Sequence, residues 1–433
     1  MYTNIPITTT AKQWKQQLQF ELQGADYNTV LIFHSHEDVP ILPFYTSDNK
    51  SISYNVEANP KAIISLYCSN IAQTLTRIEF WQTKGVQHFV ITLHSEENKW
   101  ETLFDQLPKE NLYLIHTERF TELALQKISA FIQKTDSRIF LCNDYIHSFL
   151  KKGKWLYNQY TDLGLVVKTF PNKNHTILID TTLYQNAGAG IVQQIAYGIA
   201  HTTAYLTKIE NHLHSKITVY FKIAVGSNFL YETAKLRAFR QVAESVFEVF
   251  PFPIQLILIA TPSIRELSIS KTVYNQNYIA LAYESAVMGG ADFILPQNDC
   301  IYKKNTVENE IKHLQLIQEI SQNRNASYLN KTYCFETIAY EIARKSLLLF
   351  QQIEKSGGLL EQAKNYSLQK KIKEQATQEQ AYFEEQIANI KRDFEPFANE
   401  QEWELYPFAK QKHEKTQIEP LITKRLWENI EKK

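Results

Sequence analysis

The sequence ITVYFKIAVGSNFLYETAKLRAFR, residues 217–240, decides the fold of this 433-residue chain. Its first nine residues are mostly apolar and rich in β-branched side chains, which is typical of a buried strand. A break follows at Gly226, Ser227 and Asn228, and apolar residues then recur at helical spacing from Phe229 onward. The stretch therefore predicts a strand, a turn and a helix, the repeating unit of a parallel α/β fold.

The same alternation recurs along most of the chain. Strand-like apolar runs occur at eight places, which are residues 52–57, 88–93, 112–116, 138–142, 176–180, 217–225, 254–260 and 292–296. Segments long enough for a helix separate most of them, including residues 60–82, 120–135, 188–213, 229–250 and 274–288. Eight such units within about 245 residues favour a closed (β/α)8 TIM barrel over an open sheet. An open doubly wound sheet stays an alternative, although the glycine-rich phosphate turn that usually follows its first strand is not visible.

Charge and cysteine content exclude several classes of protein. Lys and Arg together number 46, as do Asp and Glu, so no excess of positive charge indicates a nucleic acid or an anionic membrane as partner. The four cysteines are far apart and include no C-x-x-C pair, which fits a reducing compartment and argues against a disulfide framework or a zinc site. Because neither a secretory signal nor an apolar run of roughly 18 residues is visible, we expect a cytoplasmic protein.

Two pairs of histidines have a spacing that suits two metal ligands on a strand, His34 with His36 and His212 with His214. Neither pair has a third ligand or a supporting carboxylate that the sequence identifies, so we expect no metal site. The sequence also contains no G-x-S-x-G elbow and no P-loop, which leaves hydrolase and kinase interpretations without a motif.

The chain divides into three predicted regions. Residues 1–50 are expected to form an extended arm, residues 51–330 the barrel, and residues 331–433 a mostly helical extension, because the strand pattern stops there. In the arm, Thr10 is placed to cap a short helix whose apolar face includes Trp14.

The arm and the end of the extension are rich in large apolar residues. Those of the tail are Trp403, Tyr406, Phe408, Ile418, Leu421, Ile422, Leu426 and Trp427. A solvated linker does not expose so many large apolar groups, so we expect both segments to contact a partner chain.

The opening stretch also carries a family motif. Residues 226–240 match G-x-N-F-x-x-E-x-A-K-x-R-A-x-R, which resembles the acyl-CoA-binding barrel of the methylmalonyl-CoA mutase family. Further blocks resemble the same family in order and at plausible spacing: LPFYTSDN (42–49), YQNAGAGIVQQIAYGIAHTTAYL (184–206), AVMGGADFILPQND (286–299), IARKSLLLFQQIEKSGGLLEQ (342–362) and ELYPFAKQKHEKTQIEPLITKRLWE (404–428). The likeness spans nearly the whole chain and implies the same barrel fold.

The resemblance also shows departures from catalytic members. A family histidine in a G-Y-H-x-Q-E-A-G-A stretch, placed to hydrogen-bond the substrate's thioester carbonyl, corresponds here to Leu183. An aliphatic side chain donates no hydrogen bond, so that electrostatic stabilisation is absent. The family's N-x-x-R-T run reads NQNYIA at residues 275–280, and its D-P-x-G-G-S-Y loop is missing between Lys331 and Tyr333. These three departures imply that this chain has no catalytic residue.

The resemblance further implies a role within a complex. Catalytic members carry a cobalamin domain with D-x-H-x-x-G, whose histidine ligates cobalt, and we expect no such domain here. The one loosely similar run, residues 144–147, has another spacing and no glycine. The chain thus resembles the small (beta) subunits of this family, in a short form. This implies a noncatalytic partner, without a cofactor of its own, of a large (alpha) subunit that uses adenosylcobalamin to interconvert succinyl-CoA and methylmalonyl-CoA.

The motif supplies candidate residues for a site at the barrel mouth. They are Gly226, Asn228, Glu232, Lys235, Arg237 and Arg240. The charged members suit binding of an anion or coenzyme A. The i,i+3 spacing of the charges suits a salt-bridged helix face even better, and the glycine serves the backbone of the turn.

Two alternatives stay open. The partner is a large subunit of a related acyl-CoA mutase, such as one acting on isobutyryl-CoA, or the barrel has its own activity on a small anion through Lys235, Arg237 or Asp180. The barrel interior discriminates between a subunit and an enzyme, because a lumen filled with large side chains excludes a substrate and one lined by Ser, Thr and Asn admits it. The candidates for filling residues are Tyr54, Tyr113, Tyr220 and Phe221.

Overall fold

The structure, a computed structural model, describes residues 10–431 except 35–36, 38, 50–53, 97–98, 119, 136, 170–174, 214, 302–304 and 391–414. Its strands are β1 (Lys61–Ala62), β2 (Ile64–Cys68), β3 (His88–Leu93), β4 (Leu112–Thr117), β5 (Arg138–Leu141), β6 (His175–Asp180), β7 (Ile217–Val225), β8 (Ile254–Pro262) and β9 (Phe293–Ile294). All paired strands among them are parallel.

The helices lie between and after the strands. They are α1 (Ala11–Glu21), α2 (Tyr27–Leu31), α3 (Ile71–Thr83), α4 (Trp100–Gln106), α5 (Glu122–Lys134), α6 (Tyr145–Lys152), α7 (Gln159–Lys168), α8 (Thr182–Asn186), α9 (Ile191–Ile209), α10 (Phe229–Phe247), α11 (Thr272–Gly289), α12 (Val307–Asn323), α13 (Tyr333–Lys355), α14 (Leu359–Lys364), α15 (Ser367–Ile390) and α16 (Glu428–Glu431). None of the helices in the described part of the chain is long and apolar enough to cross a membrane.

The strands form two sheets that share one chain segment. The sheet orders are β1-β9-β8-β7-β6 and β2-β3-β4-β5. Only Ile63 separates β1, which pairs with β9, from β2, which pairs with β3, so this segment joins the two sheets. Within the described residues no strand ladder joins β5 to β6.

The side chains show that the two sheets enclose a common interior. Alternate residues in or directly after strands β3 to β9, together with one residue between β1 and β2, form an apolar cluster separate from the main core: Ile63, Val90, Leu112, Leu114, Phe140, Cys142, Leu178, Tyr220, Ile257, Ile259, Phe293 and Leu295. Their neighbours in the strands belong to the larger cluster that packs against the helices. Since successive strand residues face opposite sides, the smaller cluster marks the lumen of a barrel. The predicted α/β class with parallel strands is confirmed.

Two local predictions were wrong. The first strand was expected at residues 52–57, but the described residues 54–57 are not in a strand, and the strand follows Pro60 instead. Residues 60–82 are long enough for a helix, but the strand takes up their first part. The helix begins later, after Asn70, whose side chain accepts a hydrogen bond from the Gln73 amide. Of the four residues expected to fill the lumen, only Tyr220 belongs to the interior cluster.

The helical extension packs on its own barrel. Helix α13 lies against α9 and α10, and α14 lies against α9. Ile418, Leu421, Leu426 and Trp427 of the tail are all buried, whereas Ile422 is 71% exposed. Much of the apolar surface that suggested a partner is therefore buried within this chain. Trp403, Tyr406 and Phe408 lie outside the described residues.

The N-terminal arm is packed differently. Thr10 caps α1 through a capping box with Gln13, as the sequence predicts, yet no residue of α1 is buried. Phe20 is 81% exposed, Val30 54% and Phe33 47%. A helix of 11 residues that buries nothing gains little stability from packing. The arm thus buries Tyr27 and Val39 but leaves Phe20, Val30 and Phe33 exposed.

Candidate functional site

Most of the motif residues gather where β6, β7 and β8 end. In TIM barrels this carboxyl-end face carries the active site, because the loops that follow the strands meet there. Here the face receives Gln185 from α8, Gly226 from the turn after β7, Glu232 and Lys235 from α10, and Glu266 from the loop after β8.

Lys235 is the centre of this group and has no exposed surface. Its ammonium donates hydrogen bonds to Gln185 Oε1 at 3.0 Å, Gln194 Oε1 at 2.9 Å and the Ala224 carbonyl at 2.9 Å, and it pairs with the Glu232 carboxylate. The Gln185 amide in turn donates to Glu232 Oε1 at 3.0 Å. All three donors of the ammonium therefore bind groups of the chain itself.

A cavity of about 60 Å³ beside Lys235 is lined by carboxylates from several elements. Glu37 comes from the arm, Glu266 from the loop after β8 and Glu379 from α15. Glu37 Oε2 accepts a hydrogen bond from the Ile191 amide at 2.9 Å, at the start of α9, where the helix dipole favours a negative charge. Glu266 Oε2 accepts from the Ser227 hydroxyl at 2.6 Å.

Burial raises the pKa values of two of these carboxyl groups. Desolvation raises the pKa of Glu37 to about 8, and the negative charges of Glu232 and Glu379 add to the effect. Desolvation likewise raises the pKa of Glu266 to about 7, with contributions from Glu379 and Glu232. Lys235 opposes the rise in the pKa of Glu37. Glu37 is therefore held mainly in its neutral form at neutral pH.

These shifts predict an unusual pH dependence of stability. A carboxyl group with a pKa above its unfolded value of about 4.5 binds more protons in the folded state. Its stabilising effect is complete below pH 4.5 and is lost as the pH rises through 7 and 8. We expect the free energy of unfolding to fall between pH 5 and 8, measured by urea denaturation. Glu37→Gln and Glu266→Gln should each flatten the fall, and a profile unchanged in the double variant would contradict the assignment.

The remaining motif residues lie in other surroundings. Arg237 is buried and donates to the carbonyls of Ala326 and Tyr54, both at 3.2 Å, and to Asn330 Oδ1 at 2.6 Å. Arg240 donates to the Gly290 carbonyl at 2.6 Å and pairs with Asp292 at 2.7 Å. These two arginines thus connect α10 to distant segments of the chain, away from the cavity.

The turn before α10 is fixed by its own residues. Asn228 caps the helix by accepting a hydrogen bond from the Tyr231 amide at 3.3 Å. A Cβ atom on Gly226 would lie 2.9 Å from Glu232 Oε1 and 3.2 Å from Gln185 Nε2, so a side chain there would press on the Lys235 group.

Leu183, at the position of the family histidine, is 3% exposed and packs in the main core.

The chain's own C-terminal segments cover this part of the mouth. Gly188 has φ of +96°, and a Cβ atom there would lie 2.4 Å from the Ala376 Cβ of α15. Arg265 pairs with Glu379 of α15 at 2.7 Å, and its backbone carbonyl accepts from the Leu426 amide at 2.8 Å. We call α15 together with residues 424–431 the cap. It lies over the ends of β6 and β8.

A second polar group lies inside the lumen. Lys222 of β7 pairs with Asp180 of β6 at 3.0 Å, and the two residues are in register on neighbouring strands. Asp180 was a sequence candidate, but Lys222 was missed. Lys222 could have been recognised as the single charged residue of the otherwise uncharged strand β7. His147 of α6 has its Nδ1 2.8 Å from the Asp180 carbonyl.

The run that loosely resembles a cobalt-binding motif, residues 144–147, serves the barrel itself. Asp144 is buried, caps α6, and accepts hydrogen bonds from His201 Nε2 and the Tyr205 hydroxyl, both at 3.0 Å. These contacts do not fit the family's cobalt site. The described residues hold no group of three or more His, Cys, Asp or Glu side chains that suits a metal ion. His36 and His214, each half of a histidine pair, lie outside them.

A parallel (β/α)8 arrangement with charged groups at the carboxyl ends of its strands defines a protein of the TIM-barrel class. Comparison with known families makes this more specific. The methylmalonyl-CoA mutase family model matches residues 122–430, and the chain belongs to that family, which takes its name from an isomerase.

Individual relatives are distant and longer. The chain is 26% identical over 259 residues to the methylmalonyl-CoA mutase of Cereibacter sphaeroides, an alignment that covers 55% of this chain and 36% of the relative. It is 27% identical to that of Rhizobium meliloti, with the same coverage. It is 24% identical to the methylmalonyl-CoA mutase small subunit of Propionibacterium freudenreichii subsp. shermanii, covering 44% of this chain and 32% of the relative. The matches thus span about a third of these curated relatives.

Proposed function

We propose that this chain is the noncatalytic small subunit of a heterodimeric methylmalonyl-CoA mutase. In this proposal a large subunit binds adenosylcobalamin and carries out the interconversion of succinyl-CoA and methylmalonyl-CoA. The main observation behind the proposal is that the central cation at the barrel mouth is already paired within the chain. Lys235, the buried cation of the family motif, is fully engaged by Gln185, Gln194, Ala224 and Glu232.

The chemistry of the mouth supports a structural role. Catalysis at a thioester needs a hydrogen-bond donor aimed at the carbonyl oxygen, and such donors contribute strongly in a water-excluded site. Leu183 offers none and is packed in the core. The cap further occupies the space above β6 and β8, with Ala376 in close contact with Gly188.

The arm supports a role in pairing. Its helix α1 buries no residue, and three large apolar side chains of the arm are about half or more exposed: Phe20, Val30 and Phe33. Exposed apolar surface of this kind is typical of a protein interface. The similarity to a relative named as a mutase small subunit supports the same assignment. These observations favour an interface on the arm over one on the described part of the tail.

A large subunit of a related acyl-CoA mutase, such as one acting on isobutyryl-CoA, is the alternative partner. Both partners would use the same arm, and the substrate would be chosen by the large subunit. The other alternative, an activity of this barrel alone, is favoured by one observation only, the polar pair of Lys222 and Asp180 inside the lumen.

Co-expression with the large mutase subunit of the same source tests the pairing. Affinity capture on this chain should recover the large subunit at one-to-one stoichiometry. The variant Tyr160→Asp, which changes an 88% exposed tyrosine of α7, serves as a control for general surface effects. If the large subunit folds but is not captured, the subunit assignment fails.

A further inference from the structure

The side chains inside the barrel are apolar in the lower part and partly polar near the mouth. Its lower part is filled by the apolar cluster that includes Leu114, Tyr220 and Ile259. Two residues further along β4, β7 and β8, on the same inward face, the positions hold His116, Lys222 and Thr261, whereas β5 and β9 continue the apolar filling with Cys142 and Leu295. A barrel kept only for packing would continue the apolar filling, because burying polar groups costs free energy unless they are paired.

The charged pair in this layer is held firmly. Asp180 Oδ2 accepts from Lys222 Nζ at 3.0 Å, and Asp180 Oδ1 accepts from the Thr182 hydroxyl at 2.6 Å and the Thr182 amide at 3.1 Å. The Asp180 amide donates to Asp144 Oδ2 at 2.8 Å. Burial alone would raise the pKa of Asp180, but the charge of Lys222, the neighbouring His147 and the hydrogen bond from Thr182 hold it well below its usual range. Asp180 is therefore an anion with little capacity left for a ligand.

Two side chains beside it have hydrogen-bonding capacity that the described residues leave unused. Lys222 is a triple donor, and within the described residues Asp180 is its one side-chain partner. His147 places Nδ1 against the Asp180 carbonyl, which only accepts, so this nitrogen carries the proton. Its Nε2 has no partner among the described residues. The side chains of Lys222 and His147 are 26% and 16% exposed, so solvent reaches both.

We propose that Lys222 and His147 form a binding site for a small oxyanion at the mouth of the barrel, next to Asp180, whose carboxylate pairs with Lys222 and whose backbone carbonyl accepts from His147. A carboxylate or phosphate oxygen would accept hydrogen bonds from the free ammonium protons and, when the imidazole is protonated, from Nε2. This inference concerns this chain alone and does not depend on the pairing proposed above.

Isothermal titration calorimetry of the full chain with acetate, malonate and inorganic phosphate tests the site. At least one of the three should bind. Tightest binding by acetate or malonate would indicate a carboxylate site, and tightest binding by phosphate a phosphate site. The double variant Lys222→Met/Asp180→Asn removes both charges without leaving one unpaired, and it should weaken binding about tenfold or more. Lys168→Met, which breaks the exposed Lys168–Glu122 pair, is the matched control and should bind as the unchanged chain does.

The single variant Asp180→Asn tests whether the site prefers a negatively charged ligand. It removes the counter-ion of Lys222, so oxyanion binding should become tighter. Weaker binding in Asp180→Asn would show that the negative charge of Asp180 does not compete with the ligand for Lys222, and it would overturn the proposal. So would the absence of binding by all three anions, or equal binding by the double variant once its fold is verified by circular dichroism.

Discussion

Lys235→Met is expected to lower the free energy of unfolding by about 3 to 5 kcal/mol at neutral pH. The substitution leaves Glu232 as a buried carboxylate without its cation, and breaking one side of a buried pair has a cost of this size. It also leaves the side-chain oxygens of Gln185 and Gln194 without their donor. The loss should appear as a lower midpoint in urea denaturation, with little change in slope.

Two variants show whether the lost ion pair is the cause. Lys235→Met/Glu232→Gln removes both charges and should recover most of the stability. Lys168→Met, at an exposed pair, should change it by about 0.5 kcal/mol or less. A Lys235→Met chain within about 1 kcal/mol of the unchanged chain would argue that the motif lysine serves a ligand and not the fold.

Phe20→Asp is expected to weaken pairing with the large subunit by about thirtyfold or more while leaving the chain's own stability unchanged. Phe20 is 81% exposed and belongs to a helix with no buried residue, so the chain alone loses no packing. A large apolar anchor at the centre of an interface typically contributes about 2 kcal/mol or more. Binding is measured by surface plasmon resonance, and stability by urea denaturation of the isolated chain.

The control again is Tyr160→Asp, at a tyrosine that is 88% exposed on α7. It should leave both binding and stability unchanged. If Tyr160→Asp weakens pairing and Phe20→Asp does not, the interface lies on the barrel and the assignment to the arm is wrong.

The sequence predicted the barrel because its strands are buried on both faces and read as continuous apolar runs. Seven of the eight expected runs overlap observed strands, and the predicted stretch at residues 217–240 divides into β7 and α10 at the expected turn. The first strand was misplaced because residues 52–57 alternate apolar and polar side chains as a strand does, whereas the observed strand begins after Pro60 in a segment long enough for a helix. Local pattern alone does not separate these two outcomes.

The residues of the candidate site were harder to predict from the sequence than the fold. The motif identified Glu232 and Lys235, but not their partners Gln185 and Gln194, which lie about 40 to 50 residues away in the chain. Glu37 belongs to the arm and reaches the start of α9 across 154 residues of sequence. No spacing rule detects such contacts, since they depend on the packing of separate elements.

The sequence also did not show which surface the tail packs against. Its large apolar residues indicated a contact surface, and the pattern gave no information on whether the contact lies within or between chains. Ile418 and Leu421 are buried in the main core of this chain, while Phe20 of the arm remains exposed. Burial in the tertiary structure separates the two cases.

The most direct test of the subunit assignment is a titration of mutase activity. A fixed amount of the large subunit, supplied with adenosylcobalamin and succinyl-CoA, is mixed with increasing amounts of this chain. We predict no activity from this chain alone, and activity of the mixture that rises and saturates at one copy per large subunit. Activity of the isolated chain, or activity of the large subunit that does not respond to its addition, would contradict the account.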